Sequence, residues 1–329
     1  MLSDPSREVE ESLSQFEGAW HATCVGFPRF ELVDLPALKI YWPDVPLMFY
    51  NMAIITAPVR EAAELRDRAH LAQTFMRTKS TPGMLAVCEE ILAPNLRGRA
   101  SHILATENLY PAVPMIGMAA SELHPVQRIP TDLLVRRATS ETDAITVLDL
   151  NCQAYSLPLE LGRESVPRAL TDPGWHCYIG ELQGQPVACA VTFALDGRLY
   201  VALVATLADY RRRGFAEAVV RASIASCSAV TGLTRTVLHA TEAGRPVYKR
   251  MGITTRPSSC SMRQCRPWRS CVELGLNTSW LSPRLIVLGS ASRTGHYTDT
   301  YFAPRLSAIL SSCFPNYSRC ALLSTHLLF

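Results

Sequence analysis

The sequence predicts an α+β fold built on a mixed α/β sheet, and three observations predict it. From Leu133 onward, apolar β-branched runs alternate with helix-forming runs in a fixed order: strand, helix, helix, three strands, helix, strand, helix, strand. The three middle strands are joined through Gly184-Gln185 and Asp196-Gly197, two hairpin signals that make them an antiparallel meander. Finally, the apolar run 199–206 passes through a short basic turn straight into 216–225, which is dense in the helix formers Ala, Glu and Arg.

The elements follow in chain order. Residues 7–22 read as an amphipathic helix, with Val9, Leu13, Phe16 and Trp20 recurring on one face. Two strand-like runs come next, 37–42 and 47–55. A helix is expected over 58–77, with Pro58 in its first turn and Leu65, Ala69, Leu71 and Phe75 on its apolar face. Thr81-Pro82-Gly83 is a turn, 84–91 starts another periodic segment, and 101–109 suits a strand or a helix. Pro111, Pro114 and Gly117 punctuate 110–119. Residues 124–132, with Pro125, Pro130 and polar neighbours, read as a linker. Beyond it, 133–137 is a strand, and Thr139-Ser140-Glu141-Thr142-Asp143 is a helix start with capping residues for a helix that runs to about Ala154. A helix over 159–170, strands at 175–182, 187–195 and 198–206, the helix after Gly214, a strand at 234–240, a helix at 245–251 and β-rich 254–262 complete the order. The expected division is therefore an N-terminal α/β region (1–123), a linker (124–132), a second domain (133–264) and a tail (265–329). The tail has no Lys and no sustained period of 2 or 3.6, so it is expected to be disordered or not native to the fold.

Bulk properties exclude several classes. A net charge of +3 is too small to argue for nucleic acid or an anionic membrane as partner. No apolar run reaches the length of a membrane span. The N-terminus is acidic and lacks the apolar core of a secretory signal. Eleven cysteines, an odd and scattered set, read as reduced thiols of a cytoplasmic protein. Cys260, Cys265 and Cys271 lie closest together, but without paired spacing or a nearby His they read as no metal site.

The basic turn carries the chemistry. It reads Asp209-Tyr210-Arg211-Arg212-Arg213-Gly214-Phe215-Ala216. At the start of a helix the first amides have no intrahelical acceptor, and the helix dipole adds positive potential. Gly214 has no side chain to keep a phosphate away, small Ala216 leaves the next position open, and the three arginines add charged donors. These features read as a pyrophosphate cradle. Neither a Gly-x-x-x-x-Gly-Lys-Ser/Thr loop nor a Gly-x-Gly-x-x-Gly fingerprint occurs, so it is not a nucleotide cradle of either of those kinds.

What Arg211-x-x-Gly214-x-Ala216 resembles is the acyl-CoA signature of the GNAT N-acetyltransferase superfamily, Arg/Gln-x-x-Gly-x-Gly/Ala. About thirty residues on, Pro246-Val247-Tyr248-Lys249-Arg250-Met251-Gly252 resembles the family's later segment, where a short helix carries a Tyr and ends at a Gly. Both motifs fall in the right order inside 133–264, some two-fifths of the chain, so the resemblance implies a GNAT fold there. It also implies acetyl-CoA as cosubstrate and transfer of the acetyl group to a primary amine by direct attack in a ternary complex. The cosubstrate would lie on Arg211, Arg212, Arg213, Gly214, Phe215 and Ala216, with the backbone of Val204, Ala205 and Thr206 along its pantetheine arm. Tyr248 is the implied general acid for the leaving thiolate. The helix–strand–strand–helix order of 1–123 is consistent with a second, degenerate copy of the unit that lacks the cradle motif. Whether that half shapes the substrate site or only packs against the other stays open.

The general base also stays open between Glu242, Glu160, Glu164, His239 and water. Cys227 has no paired His and reads as core. The expected partners are a small-molecule or peptide amine, with no nucleic acid and no membrane, and a homodimer is left open. The reading of another class is a non-catalytic CoA-binding or regulatory module.

Overall fold

The computed structural model describes residues 5–127 and 130–265. The tail from Arg266, with Cys271, lies outside the described residues, as do Arg128 and Ile129 of the expected linker.

The N-terminal half opens with helix α1 (Pro5–Cys24), then strands β1 (Glu31–Leu35), β2 (Leu38–Trp42) and β3 (Met52–Ile55). Helix α2 (Ala62–Arg77), strand β4 (Met84–Cys88), the short helices α3 (Pro94–Arg97) and α4 (Ala100–Thr106), and the long strand β5 (Leu109–Ala120) follow. The C-terminal half contains β6 (Leu134–Arg137), α5 (Glu141–Ala154), α6 (Leu159–Arg163), β7 (Trp175–Leu182), β8 (Gln185–Leu195) and β9 (Arg198–Thr206). It ends with α7 (Phe215–Thr231), β10 (Thr236–Ala240), α8 (Arg245–Arg250) and β11 (Thr254–Cys265).

Local chemistry accounts for most of the boundaries. The Ser140 hydroxyl accepts from the Asp143 amide while the Asp143 carboxylate accepts from the Ser140 amide, a full capping box at the start of α5. Gln183-Gly184 and Asp196-Gly197 take the left-handed conformation at both central turn residues, so β7–β8 and β8–β9 are tight hairpins. Gly232 ends α7 in the same conformation, its amide bonded to the Ser228 carbonyl.

The eleven strands of the described residues form one sheet, in the order β1-β2-β3-β4-β11-β5-β10-β9-β8-β7-β6. Only β3/β4 and β9/β10 are parallel pairs, and a helix crosses over between each, α2 in one half and α7 in the other. The two halves thus repeat one unit about the antiparallel pair β5/β11 at the centre. The last strand of each half is seated inside the other: β5 lies between β10 and β11, and β11 between β5 and β4. The sheet does not close within 133–264; it closes only with β5.

The alternation of the strands divides the core between two faces. One face is a continuous cluster across both halves, roofed by α1 (Leu13, Phe16, Ala19) and α5 (Ala144, Val147, Leu148). On the other face α2 and α4 cover the N-terminal half and α7 covers the C-terminal half, as separate clusters. Phe16 is fully buried with its ring against Trp20 and His239, so truncating it to Ala would cost about 3–5 kcal/mol.

Four expectations are corrected by the structure. The strand expected over 47–55 begins only at Met52. The buried Asn51 carboxamide donates to the Val45 and Pro82 carbonyls and accepts from the Val45 amide, which holds the preceding residues in a turn. The helix expected from Pro58 starts at Ala62, because Val59 pairs instead with Leu92 in a parallel bridge. The helix expected over 159–170 stops at Arg163, and after Pro167 a 3-10 turn at Arg168–Thr171 replaces its second half. The proline-punctuated stretch 110–119 belongs to a twelve-residue central strand. Pro111 and Pro114 face only β11, since β10 pairs with no residue before Ile116, so their missing N–H groups can fall on the unpaired side. One strand, β1, falls in a stretch where no element is expected.

Candidate active site

The site is built around the place where β9 and β10 part. Their pairing runs from Leu199/Thr236 to Val201/Leu238 and stops there, while β9 continues to Thr206 alongside β8 only. The edge of β9 from Ala202 to Thr206 therefore has no partner on the β10 side. Within it the chain bulges: Leu203 takes a positive φ of 49°, and the register on β8 shifts between Cys189 and Val191. A leucine in that conformation needs support from its surroundings. It comes from Asn151 on α5, whose amide group donates to the Leu203 carbonyl at 3.2 Å, and from the Cys189 thiol, which donates to the same oxygen at 3.3 Å.

Beyond β9 the chain turns through Ala208–Tyr210 into Gly214, the N-cap of α7, at φ 88°. No side chain caps this helix, and the first amide to bond back is that of Ala218, to the Gly214 carbonyl. The amides of Phe215, Ala216 and Glu217 are thus directed out of the helix start with the dipole behind them. The Thr206 hydroxyl, at the end of the open edge, is buried without a hydrogen-bond partner among the described residues. A dry hydroxyl, an uncapped helix start and a bulged, unpaired strand edge fit an extended polar ligand ending in phosphates.

The three arginines divide their work. Arg211 donates to the Thr206 and Ala154 carbonyls at 3.1 and 3.0 Å, tying the end of β9 to the end of α5. Arg213 reaches Asp132 at 2.6 Å on the surface and lies over the Phe215 ring at 4.6 Å. Arg212 is held at φ 62° in the turn itself. Val204, Ala205 and Thr206 line the open strand edge, and Phe215 is buried with the core of α7. The expected cradle residues thus follow one another from the β9 edge to the first turn of α7, with the Ala205 and Phe215 side chains turned into the core and the Arg211 side chain held by backbone carbonyls.

Tyr248 sits on the buried side of α8, in the cluster shared with α7 and β10. Its hydroxyl makes no hydrogen bond to a described residue. Burial, and then the nearby Tyr155 phenol, push its pKa up, so it stays protonated. Tyr155, the C-cap of α5, is likewise shifted upward by burial, with Arg211 acting in the other direction. Tyr155 thus lies near enough to feel both the Tyr248 phenol and the Arg211 charge.

The candidate bases scatter. Glu242 is exposed and paired with Arg245 at 2.5 Å. Glu160 lies in the first turn of α6, with Glu164 as the residue that ends it. His239 is enclosed beneath α1, its ring nitrogens 3.0 Å from the Ser12 hydroxyl and 3.1 Å from that of Tyr200. Burial lowers its pKa to about 3, so the ring is neutral at physiological pH. Cys227 is fully buried in α7, its thiol pushed up by burial. Among the described residues, no cluster of His, Cys, Asp and Glu could hold a metal ion. No helix among them is long and apolar enough to cross a membrane.

Sequence reasoning missed Asn151, Cys189 and Tyr155. An Asn on the face of α5 that Ala144, Val147 and Leu148 bury is the one signal that could have pointed to a backbone needing support.

Comparison with known proteins agrees with this geometry. Residues 144–253, which span α5 to the end of α8, match the model of the acetyltransferase (GNAT) family. The whole fold is similar to a GCN5-related N-acetyltransferase from Kribbella flavida (TM-score 0.57, 18% identity), over 81% of this chain and 97% of that one. It is also similar to a functionally unknown conserved protein from Staphylococcus epidermidis (TM-score 0.54, 11% identity), over 72% and 95% of the two chains. A GCN5-related N-acetyltransferase from Sphaerobacter thermophilus is similar over 80% and 95%, with a TM-score of 0.50 and 12% identity. At these identities the likeness is one of fold. No curated protein matches the chain. The residues that match the family are about a third of the chain, and they lie in the C-terminal of two halves that share a single sheet.

Proposed function

We propose that the protein is an acetyl-CoA-dependent N-acetyltransferase, acting in the cytoplasm on a primary amine of a small molecule or peptide. The observation that carries this reading is the opening between β9 and β10, bulged at Leu203 and flanked by the uncapped start of α7. Acetyl-CoA supplies the activated acetyl thioester. The amides of the first turn of α7, with Arg212 and Arg213, hold its pyrophosphate. The backbone of Val204, Ala205 and Thr206 extends the sheet onto the pantetheine arm, and the Thr206 hydroxyl finds its missing partner there. The chain holds the amine and the thioester carbonyl in line, which is where most of the rate would come from. As the amine nitrogen bonds to the carbonyl carbon and the carbon–sulfur bond breaks, Tyr248 gives its phenolic proton to the departing sulfur. The proton lost by the amine restores the phenol through water, so no charge accumulates in a buried place.

Calorimetric titration of acetyl-CoA into the wild type and an Arg213→Glu, Gly214→Glu double variant tests the cradle. Micromolar binding by the wild type and none by the variant is expected; a folded wild type that binds nothing overturns the reading.

A second reading, a non-catalytic CoA-binding module, is favoured by the fate of the candidate bases: His239 is enclosed and neutral, and Glu242 is paired with Arg245. Tyr248→Phe separates the two. An enzyme loses turnover while keeping CoA affinity, and a binding module has no turnover to lose.

A further inference from the structure

Cys88 ends β4 and Cys260 lies in β11, and the two are directly opposite each other across an antiparallel ladder. Residues so placed project to the same face of the sheet with Cα atoms about 4.5–5.5 Å apart, inside the range that a disulfide spans. Both are reduced, both are buried, and both belong to the cluster beneath α1. The Cys88 thiol is 3.3 Å from a Glu90 carboxylate oxygen. We propose that Cys88 and Cys260 form a redox modification site, closing to a disulfide that staples the last strand of the C-terminal half to the N-terminal half.

The oxidant is a small hydroperoxide. The Cys88 thiolate sulfur bonds to the distal peroxide oxygen and the O–O bond breaks, leaving a sulfenic acid and, from hydrogen peroxide, one water. The Cys260 sulfur then attacks the Cys88 sulfur; the S–S bond forms, the S–O bond breaks, and the hydroxide leaves as a second water. Two thiols lose two electrons and the peroxide gains them.

Two features favour this pair over the other cysteines. Hydrogen bonding from Cys260 draws the Cys88 thiol below its ordinary value, against burial and the Glu90 charge. Cys24, Cys152, Cys177, Cys189 and Cys227 are all pushed the other way by burial. The ladder beside Cys260 is also broken, since the pairing of β11 with β5 jumps from Thr255/Met118 to Ser259/Ile116. An interrupted ladder opens more readily than a continuous one, which gives a small oxidant a way in.

Treatment of the full-length protein with hydrogen peroxide, alkylation and non-reducing peptide mapping tests the proposal. A linked Cys88–Cys260 peptide that dithiothreitol separates is expected, together with a higher melting temperature for the oxidised protein. In Cys260→Ser, Cys88 should stop at a sulfenic acid that a dimedone probe traps. Oxidation of other cysteines, with Cys88 and Cys260 still alkylated in the wild type, overturns the pairing. A linked peptide with an unchanged melting temperature overturns the staple.

Discussion

The two halves of the sheet solve one problem in opposite ways. In both, parallel strands joined by a crossover helix begin to separate after a few residues. In the N-terminal half they rejoin: past Ile54/Ala86 the chain is laced shut by the Val59 amide on the Ile91 carbonyl (2.9 Å) and the Ala93 amide on the Val59 carbonyl (2.8 Å). Glu61 is the N-cap of the helix that follows, and Glu64 in its first turn accepts from the Arg60 amide, so carboxylates occupy the positive end of α2. In the C-terminal half the strands never rejoin, a bulge replaces the bridge, and a bare glycine starts the helix. The comparison teaches that a binding opening needs more than the right topology. It needs the backbone lacing withheld and the N-cap left without a side chain, with the first-turn carboxylate of α7, Glu217, paired to Arg221 at 2.9 Å.

The sharpest way to break this contrast is at the chemistry. Tyr248→Phe should lower kcat about 10²–10⁴-fold while the KM for acetyl-CoA holds, as steady-state kinetics would read. The double variant at Arg213 and Gly214 comes next, with a loss of at least about a hundred-fold in acetyl-CoA affinity, about 3 kcal/mol by calorimetry.

Acid is the third lever. His239 is neutral when folded, with a pKa near 3, whereas an unfolded histidine titrates near 6.5. A depressed base makes the unfolded state bind the extra proton, so its stability contribution is full above pH 6.5 and is lost as pH falls toward 3. Denaturant melts should therefore weaken by about 1.4 kcal/mol per pH unit across that window, and His239→Gln should flatten the dependence. Asn151→Leu removes a donor from the Leu203 carbonyl and should cost about 1–3 kcal/mol in thermal denaturation, with kcat/KM falling as the bulge loosens.

The smallest effect is expected in the other half. Removing the carboxylates at Glu61 and Glu64 should shift stability by no more than about 0.5 kcal/mol and leave one acetyl-CoA bound per chain. A stoichiometry of two would show that charge alone, and not the Val59–Leu92 lacing, kept that half from binding.

Much of the C-terminal half was legible because its signals are local. The Ser140/Asp143 capping box, the Asp196-Gly197 turn and the strand-to-helix passage at Gly214 are each written within a few residues. What could not be read is non-local. No periodicity says that β5 sits between β10 and β11, and its two prolines argue against a central strand unless the one-sided pairing is known. The bulge was invisible for a related reason. A leucine is the wrong residue for positive φ, and what holds it there, Asn151 and Cys189, lies 52 and 14 residues away in the chain.

The seating of β5 has a consequence for biosynthesis. At ribosomal rates of about 5–20 residues per second, β5 emerges roughly ten seconds before β10 and β11, the strands that pair with it among the described residues. For that time it is an apolar segment with a free hydrogen-bonding edge, the kind of surface that nascent chains share with one another as aggregates. Pro111 and Pro114, awkward guests in a finished sheet, interrupt that edge while it waits.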